Sequence, residues 1–388
     1  MTLVWGALLP ACAPLPRLDA VPPAQTEQAA IPGIPYARVW LDRDLQTFIE
    51  AVLRDTRREQ AALKAAGQPT DPLPPAYALA ISGGGDAGAF AAGILSGWTA
   101  RGDRPVFKVV TGISAGALIA PFAFLGSQYD DIVRKVATSA GPDDILHRRN
   151  TLMGLASDGM ASSEPLAKIV AQYVTPEILA AIAREYAKGR VLQIGTTDLD
   201  AGRQVTWNMG EIAMSSAPGA LELFRKIMIA SSSIPGVISP VMIDVEIAGK
   251  PFQEMHVDGG VISQVFLYPS SFLNELARAT GKGMGREIHT YVIRNGRLEQ
   301  SWNATRRRTL DIGGRAISAL VETQGINDVH RLYQIAKQDK AEFNLAYIGA
   351  EFDAPHPEEF DSAYMKKLYD YAYQLAASGR QWHQAPPD

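Results

Sequence analysis

The sequence of 388 residues has little of several features that would assign a function by composition. It contains one cysteine, Cys12, so no disulfide within the chain is possible and its core must stabilise the fold. It has no run of about 18 apolar residues or more, which excludes a conventional transmembrane helix. Acidic and basic residues number 41 and 37, and no long segment concentrates one sign. Nucleic acid is therefore not expected as a partner.

What the chain does have is apolar content, 47% of its residues, which is enough for a large buried core. Clusters of cysteine and histidine and HExxH-type spacings do not occur in the sequence. We therefore expect neither a metal nor an organic cofactor. The sequence leaves the oligomeric state open.

The N-terminal residues 1–35 are apolar at first and then rich in proline, which predicts an extended tether without a core of its own. The tetrapeptide Leu9-Pro10-Ala11-Cys12 resembles the lipid-attachment box of bacterial lipoproteins, although Pro10 departs from the small residue usual there. No basic residues precede it, which indicates that the natural start lies upstream. We expect a bacterial cell-envelope protein anchored through Cys12. The alternative is an unstructured leader with an incidental cysteine on a soluble protein.

The remaining chain divides into three predicted parts. Apolar residues recur at helical spacing between Leu45 and Leu53, so residues 36–75 are predicted to carry an accessory helix packed on the main domain. Residues 76–350 are predicted to form that domain, with mostly helices at 128–190, and residues 351–388 a helical tail. Strands of the main domain are predicted at Ala76–Ile81, Val106–Thr111, Val191–Thr197, Gln204–Trp207, Met255–Val257, Ile288–Ile293 and Phe343–Ile348. The order of strand, glycine loop, helix, strand, tight turn and helix is typical of an α/β fold with a mainly parallel sheet.

A candidate nucleophile lies in Gly112-Ile113-Ser114-Ala115-Gly116, which matches the G-x-S-x-G pattern after a strand and before a helix. In that pattern a strand turns sharply into a helix, and side chains at the two glycine positions would collide. The serine is then expected to be exposed at a helix N-terminus, where peptide dipoles favour an oxyanion. The alternative is a packing turn with a buried serine.

A glycine-rich loop, Ser82–Gly88, precedes this motif. Consecutive glycines at Gly83, Gly84 and Gly85 let backbone N–H groups approach a ligand oxygen, which is what an oxyanion hole requires. Gly83, Gly85 and Gly88 also satisfy the dinucleotide-binding pattern G-x-G-x-x-G. That pattern needs an acidic residue at the end of the next strand. Asp103 comes before that strand, so the dinucleotide alternative is disfavoured but stays open.

A serine nucleophile needs a proton acceptor, and the candidates are His256 and Asp258 in Met255-His256-Val257-Asp258-Gly259-Gly260. Side chains alternate along a strand, so His256 and Asp258 are expected on one face. The sequence therefore permits a Ser114–Asp258 dyad or a triad through His256. The alternative is that Asp-Gly is an ordinary turn.

Together, in this order and spacing, the glycine loop, the elbow at Ser114 and the Asp258-Gly259-Gly260 motif resemble the patatin-like phospholipase family over roughly residues 76–295. The segment Ala230–Pro235 is also similar to a family segment that precedes the aspartate. The resemblance implies a three-layer α/β/α fold, with Ser114 as nucleophile, Asp258 as base and Gly83–Gly85 as oxyanion hole.

The activity implied by this resemblance is hydrolysis of lipid acyl esters at a membrane surface, without a cofactor. Many family members have Arg or Lys where this chain has Ala87, so anion stabilisation is expected from backbone N–H groups. A catalytically silent lipid-binding or scaffolding protein on the same fold is the main alternative.

Overall fold

The computed structural model of the chain describes residues 15–138, 141, 147–148, 157–281 and 285–387. Cys12, on which the predicted lipid anchor depends, lies outside these residues. The helices are α1 (Leu45–Ala65), α2 (Gly88–Arg101), α3 (Ala115–Leu125), α4 (Asp130–Thr138), α5 (Glu164–Tyr173), α6 (Pro176–Ala187), α7 (Met209–Met214), α8 (Ala220–Ser231), α9 (Phe272–Thr280), α10 (Thr309–Asp339) and α11 (Ser362–Ala377). The strands are β1 (Arg38–Val39), β2 (Ala76–Ile81), β3 (Val109–Gly112), β4 (His147–Arg148), β5 (Gly159–Ser162), β6 (Val191–Asp198), β7 (Arg203–Asn208), β8 (Gly236–Ile238), β9 (Val241–Ile247), β10 (Lys250–Asp258), β11 (Ile288–Arg294) and β12 (Glu342–Tyr347).

The described strands form a nine-stranded sheet and a three-stranded one. The large sheet has the order β1-β7-β6-β3-β2-β11-β12, with β10 and β9 added on one side of β6. Its centre, from β6 to β12, is parallel, while β1, β7, β9 and β10 pair in antiparallel fashion. The small sheet has the order β4-β5-β8. The mainly parallel central sheet confirms the predicted fold class.

Alternation along β2 shows why the domain has three layers. Leu79 and Ile81 belong to a large apolar core that includes α2, α3 and α8. Ala78 and Ala80 belong to a separate core on the other side of the sheet, which includes residues of α10. Successive side chains of a strand point to opposite faces, so a strand that is apolar throughout needs cover on both.

The N-terminal segment differs from the predicted tether. Val21, Ile31 and Ile34 are buried in the main core, and Ala30 forms a β-bridge with Glu246 of β9. The apolar residues between the prolines therefore bind the part of this segment from residue 15 onward to the domain. The prediction of a tether without core contacts is wrong for the described residues.

The accessory helix α1 packs on the main domain, as predicted. Phe48 and Ile49 form a small apolar cluster with Phe272 and Leu276 of α9. Farther along α1, the carboxylate of Glu59 accepts two hydrogen bonds from Arg286, at 2.7 and 2.8 Å. Apolar and charged contacts together make α1 part of the folded unit.

The C-terminal segment is not a separate tail, because α11 packs along α2. A Cβ added at Gly93 or at Gly97 would come within 2.3 Å of a backbone oxygen of α11. These two glycines, about one helical turn apart, let the helix backbones approach closely. The predicted boundary at residue 350 therefore does not separate two structural units.

Most predicted strands are present, and two differences matter for the site. Strand β3 begins at Val109 rather than Val106, and Val106 is exposed. Strand β10 is longer than predicted, because it forms a hairpin with β9, which the sequence reading missed. The hairpin turn is Ala248-Gly249, with positive φ at both residues, which is the geometry of a tight two-residue hairpin loop.

Strand β6 brings the two halves of the candidate site together. Its residues 193–198 pair with β7 on one edge. On the other edge, β3 pairs with the first half and ends at Gly112 opposite Ile194, while β10 pairs with the second half and ends at Asp258 opposite Thr196. Strand β3 is parallel to β6 and β10 is antiparallel, so β3 and β10 end head to head.

Among the described residues, no single helix is long and apolar enough to span a membrane. The helices α5 and α6, which are bent relative to each other, reach the length and apolar composition of a membrane span only when they are taken together.

Candidate active site

The G-x-S-x-G segment forms a strained turn between β3 and α3. Ser114 has φ 52° and ψ −123°, a conformation that residues with side chains rarely adopt. A Cβ added at Gly112 would lie 2.4 Å from the oxygen of Gly116, and one added at Gly116 would lie 2.3 Å from the oxygen of Ile81. The collision predicted from the sequence is therefore real, and both positions require glycine.

The backbone of this turn is held by the end of α8. The N–H of Ser114 donates to Ser231 Oγ at 3.0 Å, and Ser231 Oγ donates to the oxygen of Gly195 in β6 at 2.7 Å. Ser232 Oγ donates to the oxygen of Ser114 at 3.2 Å. These serines belong to the segment that only the family resemblance had singled out. These hydrogen bonds hold the strained backbone of Ser114 in place, and they thereby fix the direction of its side chain.

Asp258 follows at the end of β10, and the structure brings its carboxylate close enough to the Ser114 side chain for the two to interact. The N–H of Asp258 donates to the oxygen of Ser233 at 2.9 Å, and Asp258 Oδ1 accepts from the N–H of Gly260 at 2.7 Å. Burial raises the pKa of Asp258 to about 6, although the hydrogen bonds from Ser114 and Gly260 oppose that rise.

Both side chains are enclosed, and Ser114 is more enclosed than predicted. Ser114 is 7% exposed and Asp258 is 5% exposed, whereas we expected the serine to be exposed above the sheet. The glycine-rich loop covers the turn, since a Cβ added at Gly83 would lie 3.1 Å from the Cβ of Ser114. A carboxylate with so little access to water keeps its proton more readily than one at the surface.

The glycine-rich loop lies over Ser114, but the N–H groups of its three consecutive glycines differ in their hydrogen bonding. The N–H of Gly83 donates to the oxygen of Gln264 at 3.0 Å, so it is not free to bind an oxyanion. This corrects the prediction that Gly83 is one of the donors. Within the described part of the chain, the N–H groups of Gly84, Gly85 and Ala115 have no protein acceptor.

Gln264 is a buried residue of the site that the sequence reading missed, since it belongs to no motif. Its side chain donates from Nε2 to the oxygen of Gly260 at 3.0 Å, and a Cβ at Gly83 would lie 2.8 Å from its Oε1. Its own N–H donates to Asp328 of α10 at 2.7 Å. Gln264 therefore ties the glycine loop to the turn after Asp258.

His256, the other candidate base, binds residues other than Ser114. Its Nδ1 lies 2.9 Å from Thr196 Oγ1 and its Nε2 lies 3.0 Å from Glu254 Oε2, so both ring nitrogens already have partners. The described residues show no contact between His256 and Ser114.

His256 belongs to a fully buried polar cluster with Asp198 and Glu254, whose ligand atoms all lie within 4.8 Å of one another. Arg38 donates to both carboxylate oxygens of Glu254. Burial opposes ionisation of Glu254, but Arg38 and His256 outweigh it and lower the pKa of Glu254 to about 2. With a guanidinium already on Glu254, the cluster is an internal ion-pair network rather than a place for a cation.

The dinucleotide alternative loses its remaining support in the sheet. Strand β3, next to β2, leads directly into the turn at Ser114, so the acidic residue that the pattern needs has no position at its end.

Two cavities of about 570 and 580 Å³ occur in the described part of the chain, and neither is lined by Ser114 or Asp258.

Comparison with known proteins supports one family. The family model described as patatin-like phospholipase matches residues 79–269. No curated protein matches the chain. Among solved structures, VipD from Legionella pneumophila is similar over 78% of this chain and 67% of its own, with 12% identity and a TM-score of 0.38. Residues 79–269 of the chain therefore form a patatin-like phospholipase domain, and this match supports lipid acyl hydrolase activity in general.

Proposed function

We propose that the protein cleaves lipid acyl esters through a Ser114–Asp258 dyad and an acyl-enzyme. One observation carries the proposal: a serine in a strained turn at a helix N-terminus has a buried carboxylate beside its side chain. The strain keeps the Ser114 side chain at one position, and the carboxylate supplies the acceptor for its proton.

In the first step, Ser114 Oγ attacks the ester carbonyl carbon while its proton passes to Asp258. Because the N–H of Gly260 occupies Oδ1, Oδ2 is the oxygen that takes the proton. The tetrahedral oxyanion accepts hydrogen bonds from the N–H groups of Gly84, Gly85 and Ala115, at the N-terminus of α3. When the intermediate collapses, the bond from carbon to the alcohol oxygen breaks, and that oxygen takes the proton from Asp258.

In the second step, water attacks the acyl-enzyme and gives its proton to Asp258, and Ser114 leaves with that proton. A carboxylate with an ordinary pKa is a weak base for a hydroxyl group. The raised pKa of Asp258, about 6, makes it a stronger base that is still ionised at neutral pH. No metal or organic cofactor takes part in the proposed reaction.

A fluorophosphonate probe, which reacts with activated serines, tests this function. We expect one probe per chain on the wild-type protein, none on Ser114→Ala, and normal labelling of Ser378→Ala, a surface control. Asp258→Asn should lose labelling and His256→Gln should keep it on the folded fraction. Loss of labelling in His256→Gln alone would overturn the dyad.

The same experiment separates the alternatives. Folded protein that is never labelled but binds lipid would be the catalytically silent member of the family. Tight binding of NAD or FAD without labelling would favour the dinucleotide alternative through Gly83, Gly85 and Gly88.

We further propose that the substrate is reached at an anionic membrane surface, through the first half of α10 and the segment before it. Trp302 is 89% exposed there, and Ile312 and Leu320 are also exposed on one helix face. Arg306, Arg307 and Arg308 are exposed beside them, although the chain as a whole has a net charge of −4. Exposed tryptophan and aliphatic side chains with flanking arginines suit the interface of an anionic bilayer.

This docking surface is continuous with the active site. Gln324 of α10 donates to the oxygen of Ile262, which follows the Asp258-Gly259-Gly260 turn. Val261 and Ile262 are themselves partly exposed, at 39% and 38%. A bilayer in contact with α10 would therefore present its esters near Ser114.

For the location, we propose a bacterial cell-envelope protein anchored through Cys12, on the evidence of the lipoprotein-like box in the sequence. Metabolic labelling with a radioactive fatty acid should mark the wild-type protein and not Cys12→Ser. An unlabelled wild-type protein in the soluble fraction would refute the anchor without affecting the hydrolase proposal.

A further inference from the structure

The hydroxyl group of Ser82, between β2 and the glycine loop, has an unusually complete set of partners. Ser82 is fully buried, and its Oγ donates to the oxygen of Gly83 at 2.6 Å. The same Oγ accepts from the N–H of Asn295 at 2.8 Å and from Arg294 Nη1 at 3.4 Å. A hydroxyl group has one donor and two acceptor positions, so all three are used.

Ser82 donates to the carbonyl oxygen of Gly83. This carbonyl group and the N–H of Gly84 belong to the same peptide unit. In a trans peptide the C=O and N–H point in opposite directions, so that N–H points away from Ser82. It has no protein acceptor among the described residues. A donor bound to a carbonyl oxygen polarises the peptide and strengthens its N–H as a donor.

A positive charge lies behind the same peptide. Arg294 Nη1 is 3.5 Å from the oxygen of Gly83, and the side chain is buried, with the residue 5% exposed. The Nε of its guanidinium has no hydrogen-bond partner, and Asp328 and Glu322 are the acidic side chains that act on its charge. Burial lowers the pKa of Arg294 to about 10, which leaves it charged at neutral pH. The glycine loop, Ser82–Gly88, contains no cation of its own.

Asn295 holds Ser82 in this position through hydrogen bonds to Ser82 and to α2. Its Nδ2 donates to the oxygen of Ser82 at 2.8 Å, and its Oδ1 accepts from the N–H of Ala91 in α2 at 3.0 Å. A Cβ at Gly84 would lie 2.2 Å from the oxygen of Asn295, so the loop lies directly against the end of β11. The contacts thus lead from the end of β11 to Ser82 and from Ser82 to the Gly83–Gly84 peptide. That peptide belongs to the loop that lies over Ser114.

We propose that Ser82 is a positioning residue for the hydrolase reaction: its hydroxyl, supported by Arg294, aims the N–H of Gly84 at the oxyanion and strengthens that hydrogen bond. Ser82 does not touch the substrate, so it acts only through the peptide. This inference rests on the proposed acyl-ester hydrolysis at Ser114.

Kinetics of Ser82→Ala test the proposal with a soluble short-chain nitrophenyl ester. Removing an oxyanion donor outright lowers kcat about 10²–10³-fold, and Ser82→Ala only weakens one, so we expect kcat to fall about 10- to 100-fold. KM should change less than about threefold, because the oxyanion exists only in the transition state. Ser82→Cys, which keeps a weak donor of similar shape, should be intermediate.

A trifluoromethyl ketone inhibitor gives a readout that a purely structural role would not move. It forms an oxyanion on Ser114, so its affinity for Ser82→Ala should fall by the same factor as kcat/KM. The affinity for a product fatty acid should not change. The matched control is Thr111→Val, which removes another buried hydroxyl-to-carbonyl bond of 2.6 Å, from Thr111 to Phe266. It should lower the melting temperature without changing kcat.

The outcomes separate the two proposals. If the wild-type protein neither hydrolyses esters nor reacts with fluorophosphonate, the proposed function has failed. If the wild type is active through Ser114 and Ser82→Ala has the same kcat and inhibitor affinity, the role of Ser82 is refuted. If Ser82→Ala does not fold, Arg294→Lys and Arg294→Met decide the question: lysine should retain most of kcat, methionine should lose more, and equal kcat for both would refute the role of the charge.

Discussion

Gly112 and Asp258 end two strands that meet head to head on the same edge of β6, opposite Ile194 and Thr196. One residue of β6, Gly195, lies between those two pairing positions. Ser114 follows Gly112 by two residues, so the strand ends bring its hydroxyl to the Asp258 carboxylate. The pairing register of a single strand thus joins two motifs that are more than a hundred residues apart in sequence.

The rate of ester hydrolysis should depend on pH through Asp258. The base must be ionised to take the proton of Ser114, and its pKa is raised to about 6. We expect kcat/KM to rise with pH through an inflection near pH 6 and to be constant above about pH 7. Measurement of kcat/KM between pH 4.5 and 8.5 checks this. An inflection that disappears in His256→Gln would assign the base to the histidine.

Asp258→Asn should be more stable than the wild type at neutral pH. A carboxyl whose pKa rises on folding binds its proton more tightly when folded, so its ionisation destabilises the fold as the pH increases from about 4 to 6. A rise of about two pKa units corresponds to about 3 kcal/mol. Urea denaturation should therefore give the variant a higher free energy of unfolding at pH 7.5 and a smaller advantage at pH 4. No difference between the two pH values would contradict the burial of Asp258.

The two elbow glycines should not tolerate a methyl group. Gly116→Ala would place Cβ 2.3 Å from a backbone oxygen, so we expect a loss of several kcal/mol or failure to fold. The control is Gly313→Ala in α10, where a Cβ meets nothing within 4 Å. That change should be stabilising by up to about 1 kcal/mol, because alanine favours a helix. Thermal denaturation of both variants measures the contrast, and equal melting temperatures would contradict the geometry of the elbow.

The buried network around His256 should contribute to stability and not to chemistry. Glu254→Ala leaves Arg38 as an unpaired charge whose side chain is 6% exposed, and we expect a loss of about 3–5 kcal/mol. Glu275→Ala breaks a pair on the surface, with Arg278, and should cost less than about 1 kcal/mol. Urea denaturation compares them. The folded fraction of Glu254→Ala should still react with fluorophosphonate at the wild-type rate.

The docking surface on α10 predicts binding to anionic vesicles. Wild-type protein should sediment with phosphatidylcholine vesicles that contain phosphatidylglycerol, more weakly with pure phosphatidylcholine, and more weakly at high salt. The double variant Arg307→Glu, Arg308→Glu should lose at least about tenfold in affinity, since each arginine near the surface contributes about 1 kcal/mol. Leu199→Ser, an exposed apolar residue elsewhere, is the matched control.

The docking surface on α10 could be tested in the same way for binding of a second copy of the chain. If the face covers a second copy of the chain, light scattering will show a dimer that dissociates in Leu320→Ser, and the vesicles will bind nothing. That outcome would overturn the membrane proposal and leave the active site unaffected.

Local patterns predicted much of the secondary structure. Ala76–Ile81 is a strand with the predicted bounds, because its continuous apolar run suits a parallel strand covered on both faces. In the G-x-S-x-G turn, the clash that requires Gly112 lies within the five residues of the motif, whereas the clash that requires Gly116 is with Ile81 of β2. Strand β9 was missed even though the turn Ala248-Gly249 follows it, because a short hairpin signal is weak until its partner strand is known.

Contacts between distant segments were beyond such patterns. The proline-rich segment before residue 36 resembles a linker in composition, yet three aliphatic side chains bind it to the core. The amide of Gly83 resembles an oxyanion donor in its motif, yet the oxygen of Gln264 accepts its hydrogen bond. Composition reports what a segment can do alone, whereas burial and hydrogen bonding depend on what lies against it.

By itself, the sequence determined that a serine between two glycines follows one strand and that an aspartate followed by two glycines ends another, because each motif is a contiguous run of residues. Only the tertiary structure decided that the aspartate, and not His256, meets the serine, and that Ser82 and Arg294 lie behind the glycine loop. The reason is that β6 sets where β3 and β10 stop, and this pairing joins residues far apart in the chain.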